Sequence, residues 1–184
     1  MYSIIRLLII GIAVFFMSHQ SSAQRLLSIT GSLSFTSDAP LERISASSKA
    51  MRTVVDLSKN EFAVSIPMKT FVGFNSPLQK EHFHENYLET NRFPTATFTG
   101  KIIEQLDFVR EASGTFRAKG QLDIHGVKQE RIIKCKYTTK GGQIFVNCDF
   151  EVLLEDHQIT IPRIVHQKIS EKILVHLEMT LNLR

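Results

Sequence analysis

The stretch EHFHENYLETNRFPTATFTG, residues 81–100, decides how the rest of the chain is read. Its first half is polar and aromatic and reads as a short helix. Asn75 or Ser76 can cap that helix and Pro77 suits its first position. The helix is predicted to run to about Glu89, with Phe83 and Tyr87, four apart, on one face. Pro94 requires extended geometry at Phe93. From there Ala96, Phe98, Gly100 and Ile102 alternate with polar residues, the period of a strand. The segments on either side also read as strands. One helix therefore sits inside an all-strand chain, placed to close one end of a barrel or sandwich.

Working outward, the same period recurs. Leu27, Ile29, Leu33 and Phe35 share a face towards the N-terminus, and Ile44, Ala46 and Ser48 continue more weakly. Residues 53–57 and 61–68 flank Ser58-Lys59-Asn60 as a hairpin with a three-residue loop. Phe62, Val64, Ile66 and Met68 form one face of its second arm. Pro67 cannot donate a ladder hydrogen bond, so that end belongs at an edge or bulge. Beyond the central stretch, Phe116, Ala118, Gly120, Leu122 and Ile124 share a face, and His125-Gly126 marks a tight bend. Ile133, Cys135 and Tyr137 then face Ile144, Val146, Cys148, Phe150 and Val152 across a turn at Lys140-Gly141-Gly142. Residues 155–167 form a longer connection with a helical turn after Pro162. Ile173, Val175, Leu177, Met179, Leu181 and Leu183 make the clearest strand. About eight short strands with one apolar face each predict a closed antiparallel β-barrel, a class whose local signature a two-layer sandwich shares.

The 184 residues suit one domain, and residues 1–23 read as a cleaved signal peptide. Arg6 supplies the positive start, residues 7–17 are an apolar run too short to span a bilayer, and Ser21 and Ala23 satisfy the small-residue rule for cleavage before Gln24. The barrel is then residues 24–184, and the expected address is periplasmic or secreted; no cysteine near the cut suggests a lipoprotein. The formal charge of +4 falls by one with the loss of Arg6. Lys128, Lys134, Lys136 and Lys140 cluster on one strand, as on a solvated outer face or, more sharply, one that makes transient contact with an anionic membrane surface. Nucleic acid is disfavoured, because aromatic and basic residues do not interleave.

Little in the chain specifies a reaction. In Glu81-His82-Phe83-His84-Glu85 the histidines are two apart and point about 200° apart on a helix, unlike the four-residue spacing of the zinc proteases. No nucleophile elbow and no phosphate-binding glycine loop occurs, and no cofactor is expected. Cys135 and Cys148, on apolar faces either side of the Gly-Gly turn, fit a disulfide and equally a pair of buried thiols. Ala96, Gly100, Ala118 and Gly120 are small residues on inward faces. They either leave room for a narrow apolar slot or let the strands bend at a barrel corner.

From Leu33 to Leu183 the chain resembles the YceI-like family of exported, lipocalin-like barrels associated with polyisoprenoid binding. The resemblance rests on Gln79-Lys80-Glu81-His82-Phe83, Asn86-Tyr87, Phe93-Pro94-Thr95-Ala96-Thr97-Phe98 and Gly100-Lys101. It rests further on residues 120–127, GQLDIHGV, and on Ile161-Pro162 with Lys168-Ile169. Two departures stand out: Ile29-Thr30-Gly31-Ser32 replaces an Asp-Pro-x-His-Ser-like opening, and His125 replaces the usual basic residue before Gly126. Contacts to a ligand headgroup are expected to differ accordingly. The resemblance implies a barrel with an apolar tunnel for a long isoprenoid or other amphiphile; it does not imply catalysis.

The reading is a lipid-binding protein, not an enzyme, that holds a polyisoprenoid or fatty-acyl amphiphile inside the barrel. Phe62, Val64, Ile66, Phe98, Phe116, Leu122, Val146, Phe150, Leu177 and Met179 are the candidate ligand-binding residues. Two alternatives differ in class. One is a metal-dependent enzyme or stress factor using the His82 to Glu85 region, which a bound metal would favour. The other is a filled barrel acting as an interaction module, which a core packed to the axis would favour.

Overall fold

The structure is a computed structural model and describes residues 25–108 and 110–182. The expected signal peptide, the start at Gln24 and Leu183 lie outside the described residues, as do the side chains of Leu27 and Ile29. Among the described residues there are nine strands: β1 Arg25–Asp38, β2 Arg43–Ser48, β3 Arg52–Asp56, β4 Glu61–Pro67, β5 Thr95–Ile102, β6 Ser113–Ile124, β7 Val127–Lys140, β8 Gln143–Leu153 and β9 Lys172–Asn182. Neighbours from β3 to β9 pair antiparallel in sequence order. β1 closes the ring, pairing with β9 along one edge and with β3 through Arg25–Leu27 on the other. β2 occupies the rest of that second edge, opposite Leu33 to Asp38. The barrel thus has eight staves, with β2 and β3 sharing one position.

Buried and exposed residues alternate along β6, β7 and β8 with the period read from the sequence. The lysines at 128, 134, 136 and 140 all lie exposed on the outer face of β7. His125 and Gly126 both adopt positive φ, as do Gly141 and Gly142, giving two-residue hairpin turns. Pro67 ends β4 beyond the last residue that β3 pairs with, Ser65. Two local expectations are corrected. The β3–β4 loop has four residues, because Asp56 pairs with Glu61 and the Asp56 carboxylate accepts from the Ser58 amide and hydroxyl. In β1 the pairing to β9 shifts register between Ser28 and Thr30, so the alternation there is interrupted by a bulge.

The connections sort the barrel into two ends. At one end, residues 103–108 and 110–112 belong to the connection over the opening. Phe108 is buried edge-on against Tyr137 at 5.0 Å, and the Tyr137 hydroxyl donates to Glu111 Oε2 at 2.7 Å. Burial, then the Glu111 carboxylate, pushes the Tyr137 phenol up to about 12. Glu104 pins the same loop by accepting from the Arg117 amide and guanidinium, each at 2.7 Å. At the other end lie α1, Pro77–His82, the continuing π-turn Phe83–Tyr87, and the 3-10 turns Met68–Thr70, Glu155–His157 and Arg163–Val165.

Cys135 and Cys148 stand directly opposite one another on β7 and β8, buried and joined by a disulfide. Protein unfolded without reductant should therefore titrate no free thiol. Reduction should lower stability by about 3 kcal/mol or somewhat less, for a bridge closing 13 positions. Two titratable thiols in protein from an oxidising compartment would contradict the bond.

The small inward residues divide. Gly100 lies opposite Gly120, whereas Ala118 faces Ile102 and Ala96 faces Ile66. A Cβ on Gly100 would sit 2.1 Å from the Lys119 carbonyl oxygen, and one on Gly120 would sit 2.1 Å from that of Thr99. The glycine pair is thus a close crossing of two backbones and forms no slot, so of the two readings offered for the four small residues the slot is corrected for Gly100 and Gly120. Ala96 and Ala118 alone face open space in the interior.

Candidate functional site

That interior is an apolar cavity of about 470 Å³. All ten candidate residues lie in its wall: Phe62, Val64 and Ile66 from β4, Phe98 from β5, Phe116 and Leu122 from β6, Val146 and Phe150 from β8, and Leu177 and Met179 from β9. Register brings them into bands across the staves. Val64 faces Phe98, Phe98 faces Leu122, and Val146 faces Met179. The rings of Phe62 and Phe98 lie 4.9 Å apart. The barrel is not packed solid to its axis.

The helix end adds an aromatic group that sequence reading did not nominate for the cavity. Phe35 of β1 stacks on Phe83 at 5.4 Å, and Phe71 and Phe74 approach Phe83 at 5.8 and 5.1 Å. All four rings line the cavity. Phe71 and Phe74 stand in the irregular run between β4 and α1, where no period marks an inward face. The helix itself begins as expected, with Ser76 Oγ accepting from the Gln79 amide and Pro77 at the first position. It does not reach Glu89. Beyond His82 it widens, and the Leu88 amide donates to the Phe83 carbonyl five residues back. That widening also buries Leu88, while Tyr87 stays half-buried and lines the cavity together with Phe83, the face the two were expected to share. Glu89 then takes a left-handed conformation that ends the turn.

Polar groups gather at this end. Gln79 Nε2 donates to Glu42 Oε1 at 2.5 Å, and Gln79 Oε1 accepts from the Asn75 amide. Ser76, His82 and Lys168 complete a polar mouth, with Val165 and Ile169 beside them. Deeper in the wall, the buried Thr53 hydroxyl has no hydrogen-bond partner.

The remaining histidines do structural work. His125 is outside the cavity wall. Its Nε2 lies 2.7 Å from Glu89 Oε2 and its Nδ1 3.2 Å from the His157 carbonyl oxygen, tying the helix end, the β6–β7 turn and the β8 connection together. Phe93 packs edge-on against its ring at 4.6 Å. His84 sits by Thr90 Oγ1, and burial, then Lys80 and Lys69, holds its imidazole below the usual histidine range. Among the described residues no group of three or more His, Cys, Asp or Glu is placed to hold a metal ion, and no helix is long and apolar enough to cross a membrane.

An antiparallel barrel closed at one end by a loop that buries Phe108, apolar within and polar at the mouth, defines a lipocalin-like cavity protein. A sequence model described as the YceI-like domain matches residues 15–181, and the chain belongs to this family. Among solved structures, the fold is similar to a polyisoprenoid binding domain from Saccharophagus degradans implicated in plant cell wall breakdown. That match has a TM-score of 0.71 and 13% identity, covering 89% of this chain and 100% of the other. BcnA from Burkholderia cenocepacia is also similar, with TM-score 0.67 and 11% identity over 82% of this chain and 95% of its own. A YCEI protein from Campylobacter jejuni gives 0.55 and 15%, over 71% and 78%. No curated protein sequence matches. The family motifs, separate in sequence, meet at the helix end: Gln79 and Lys168 at the mouth, Phe83 and Ile169 in the wall, Phe93 against the His125-Gly126 turn.

Proposed function

We propose that this protein binds an elongated apolar ligand, a polyisoprenoid or fatty-acyl amphiphile, without catalysing a reaction on it. The observation that carries this is the continuous apolar cavity with polar groups confined almost wholly to one mouth. The ligand's chain lies against the ten wall residues and the aromatic group, and its polar end stays near Gln79, Glu42, His82 and Lys168. Burial supplies about 25 cal/mol per Å² of apolar surface before the costs of ordering the chain. The polyisoprenoid-binding description of the Saccharophagus domain supports the same class of ligand. Native mass spectrometry of protein purified without detergent, followed by solvent extraction, tests the reading. A bound mass that extracts as a long-chain amphiphile is expected. Ligand-free protein that also fails to bind added fluorescent fatty-acyl probe would overturn it.

The protein is further proposed to work outside the cytoplasm, in the periplasm or after secretion. Its exported form should begin at Gln24, since Ser21 and Ala23 suit the cleavage site. Intact-mass measurement of that form checks this, and a membrane-bound product retaining residues 1–23 would refute it.

A further inference from the structure

Three exposed aliphatic side chains surround the cavity mouth, each on a different loop. Leu41 is in the β1–β2 turn, Leu78 at the start of α1, and Ile164 in the Arg163–Val165 turn; they are 67%, 58% and 92% exposed. Leu78 lines the mouth itself, as do Glu42 and Val165, the chain neighbours of Leu41 and Ile164. The loops are tied to one another. The Leu41 amide donates to the Gln167 carbonyl at 2.8 Å, Gln79 Nε2 to Glu42, and Asn75 Nδ2 to the Arg43 carbonyl at 3.0 Å. Single exposed aliphatic residues are ordinary on a protein surface, but these three are grouped about the opening of an apolar cavity and held outward by bonded loops.

The rim is also basic. In residues 39–43, 76–82 and 163–169, Arg43, Lys80, Arg163 and Lys168 stand against Glu42 and Glu81. All four cations are exposed, and none takes part in an ion pair among the described residues. The acidic Glu42 is turned to Gln79. By contrast, the lysine-bearing outer face of β7 offers charge with a single strongly exposed aliphatic residue, Ile132.

We propose that this rim is a docking surface for a bilayer that carries anionic headgroups. Leu41, Leu78 and Ile164 enter the acyl boundary, the four cations sit at headgroup level, and the mouth opens onto lipid. The proposal rests on the lipid-binding reading of the cavity and names where the ligand is taken up or delivered.

The chain contains no tryptophan, so Ile164→Trp gives a lone reporter. With vesicles of phosphatidylcholine and phosphatidylglycerol at low salt, its emission should shift to the blue. Lys59→Trp, in the β3–β4 loop at the opposite end, should not shift. In vesicle flotation, Leu41→Glu/Ile164→Glu should weaken binding at least tenfold. Neither residue lines the cavity, so this variant should bind a fluorescent fatty-acyl probe from solution as the parent does. Parent-like flotation of that variant overturns the proposal, as does a loss seen only in Lys134→Glu/Lys136→Glu. So does a parent that ignores vesicles and instead forms a dimer broken by Ile164→Glu, which would assign the rim to a second copy of the chain. Protein that docks through this rim yet takes no acyl probe separates the two readings: the surface stands and the cavity reading falls.

Discussion

Gly100→Ala should destabilise this protein by about 4 kcal/mol, more than the usual overpacking cost of about 1–3 kcal/mol. The obstacle is what sets the size. A methyl group at residue 100 meets the Lys119 carbonyl oxygen at 2.1 Å and the Gly120 Cα at 2.5 Å. Backbone held in a sheet cannot rotate aside as a side chain can, so β5 and β6 must separate and lose ladder bonds. Gly141→Ala is the comparison. There a Cβ has nothing within 4 Å and only the positive φ of 60° to contend with, worth about 1–2 kcal/mol. Denaturant unfolding of both variants reads the difference. A Gly100→Ala loss within about 0.5 kcal/mol would show that the strands can part cheaply and that the crossing is loose.

Ala118→Phe should weaken fatty-acyl binding by about 50-fold. Ala118 is buried, lines the cavity and sits opposite Ile102 and Ile133. A phenyl ring there takes the place of part of the ligand chain. Excluding three methylenes at about 0.8 kcal/mol each loses about 2.4 kcal/mol, which is the stated factor. Overpacking will also lower stability, so circular dichroism must first show a folded barrel. A folded variant that binds probe as the parent does would mean that the ligand lies elsewhere.

The barrel was legible because its strands alternate cleanly where one face is buried, and the alternation of β6 to β9 alone fixes which residues point inward. The same rule placed all ten wall candidates in the cavity lining. It failed where the backbone leaves the simple period. The one-residue bulge near Ile29 shifts register with only Gly31 beside it, and a single glycine in a strand marks a bulge no better than it marks a close packing contact. The π-turn after His82 replaces a four-residue backbone hydrogen bond with a five-residue one, a change no helix-spacing argument supplies. Phe71 and Phe74 lie in a run with no period at all, so only the density of aromatics could have drawn attention to them. The mouth was hidden for another reason: Glu42, Gln79 and Lys168 come from three distant segments, and their nearness is a product of closure. The two glycines were seen as small residues, but whether small means space or contact depends on the distance between two backbones, which the strand pattern does not contain.

The pairing of β1 with β9 also bears on the order in which the molecule can be assembled. Ser37 lies opposite Ile173, 136 positions later in the chain. A hairpin such as β7–β8 can form from neighbouring residues, whereas the seam between first and last strands must wait until nearly the whole polypeptide is present. Contacts so far apart slow folding, because the chain entropy is lost before they form. Until then the free edge of β1 can pair with any other strand it meets. During synthesis, the completion of β9 is the event that ends this exposure.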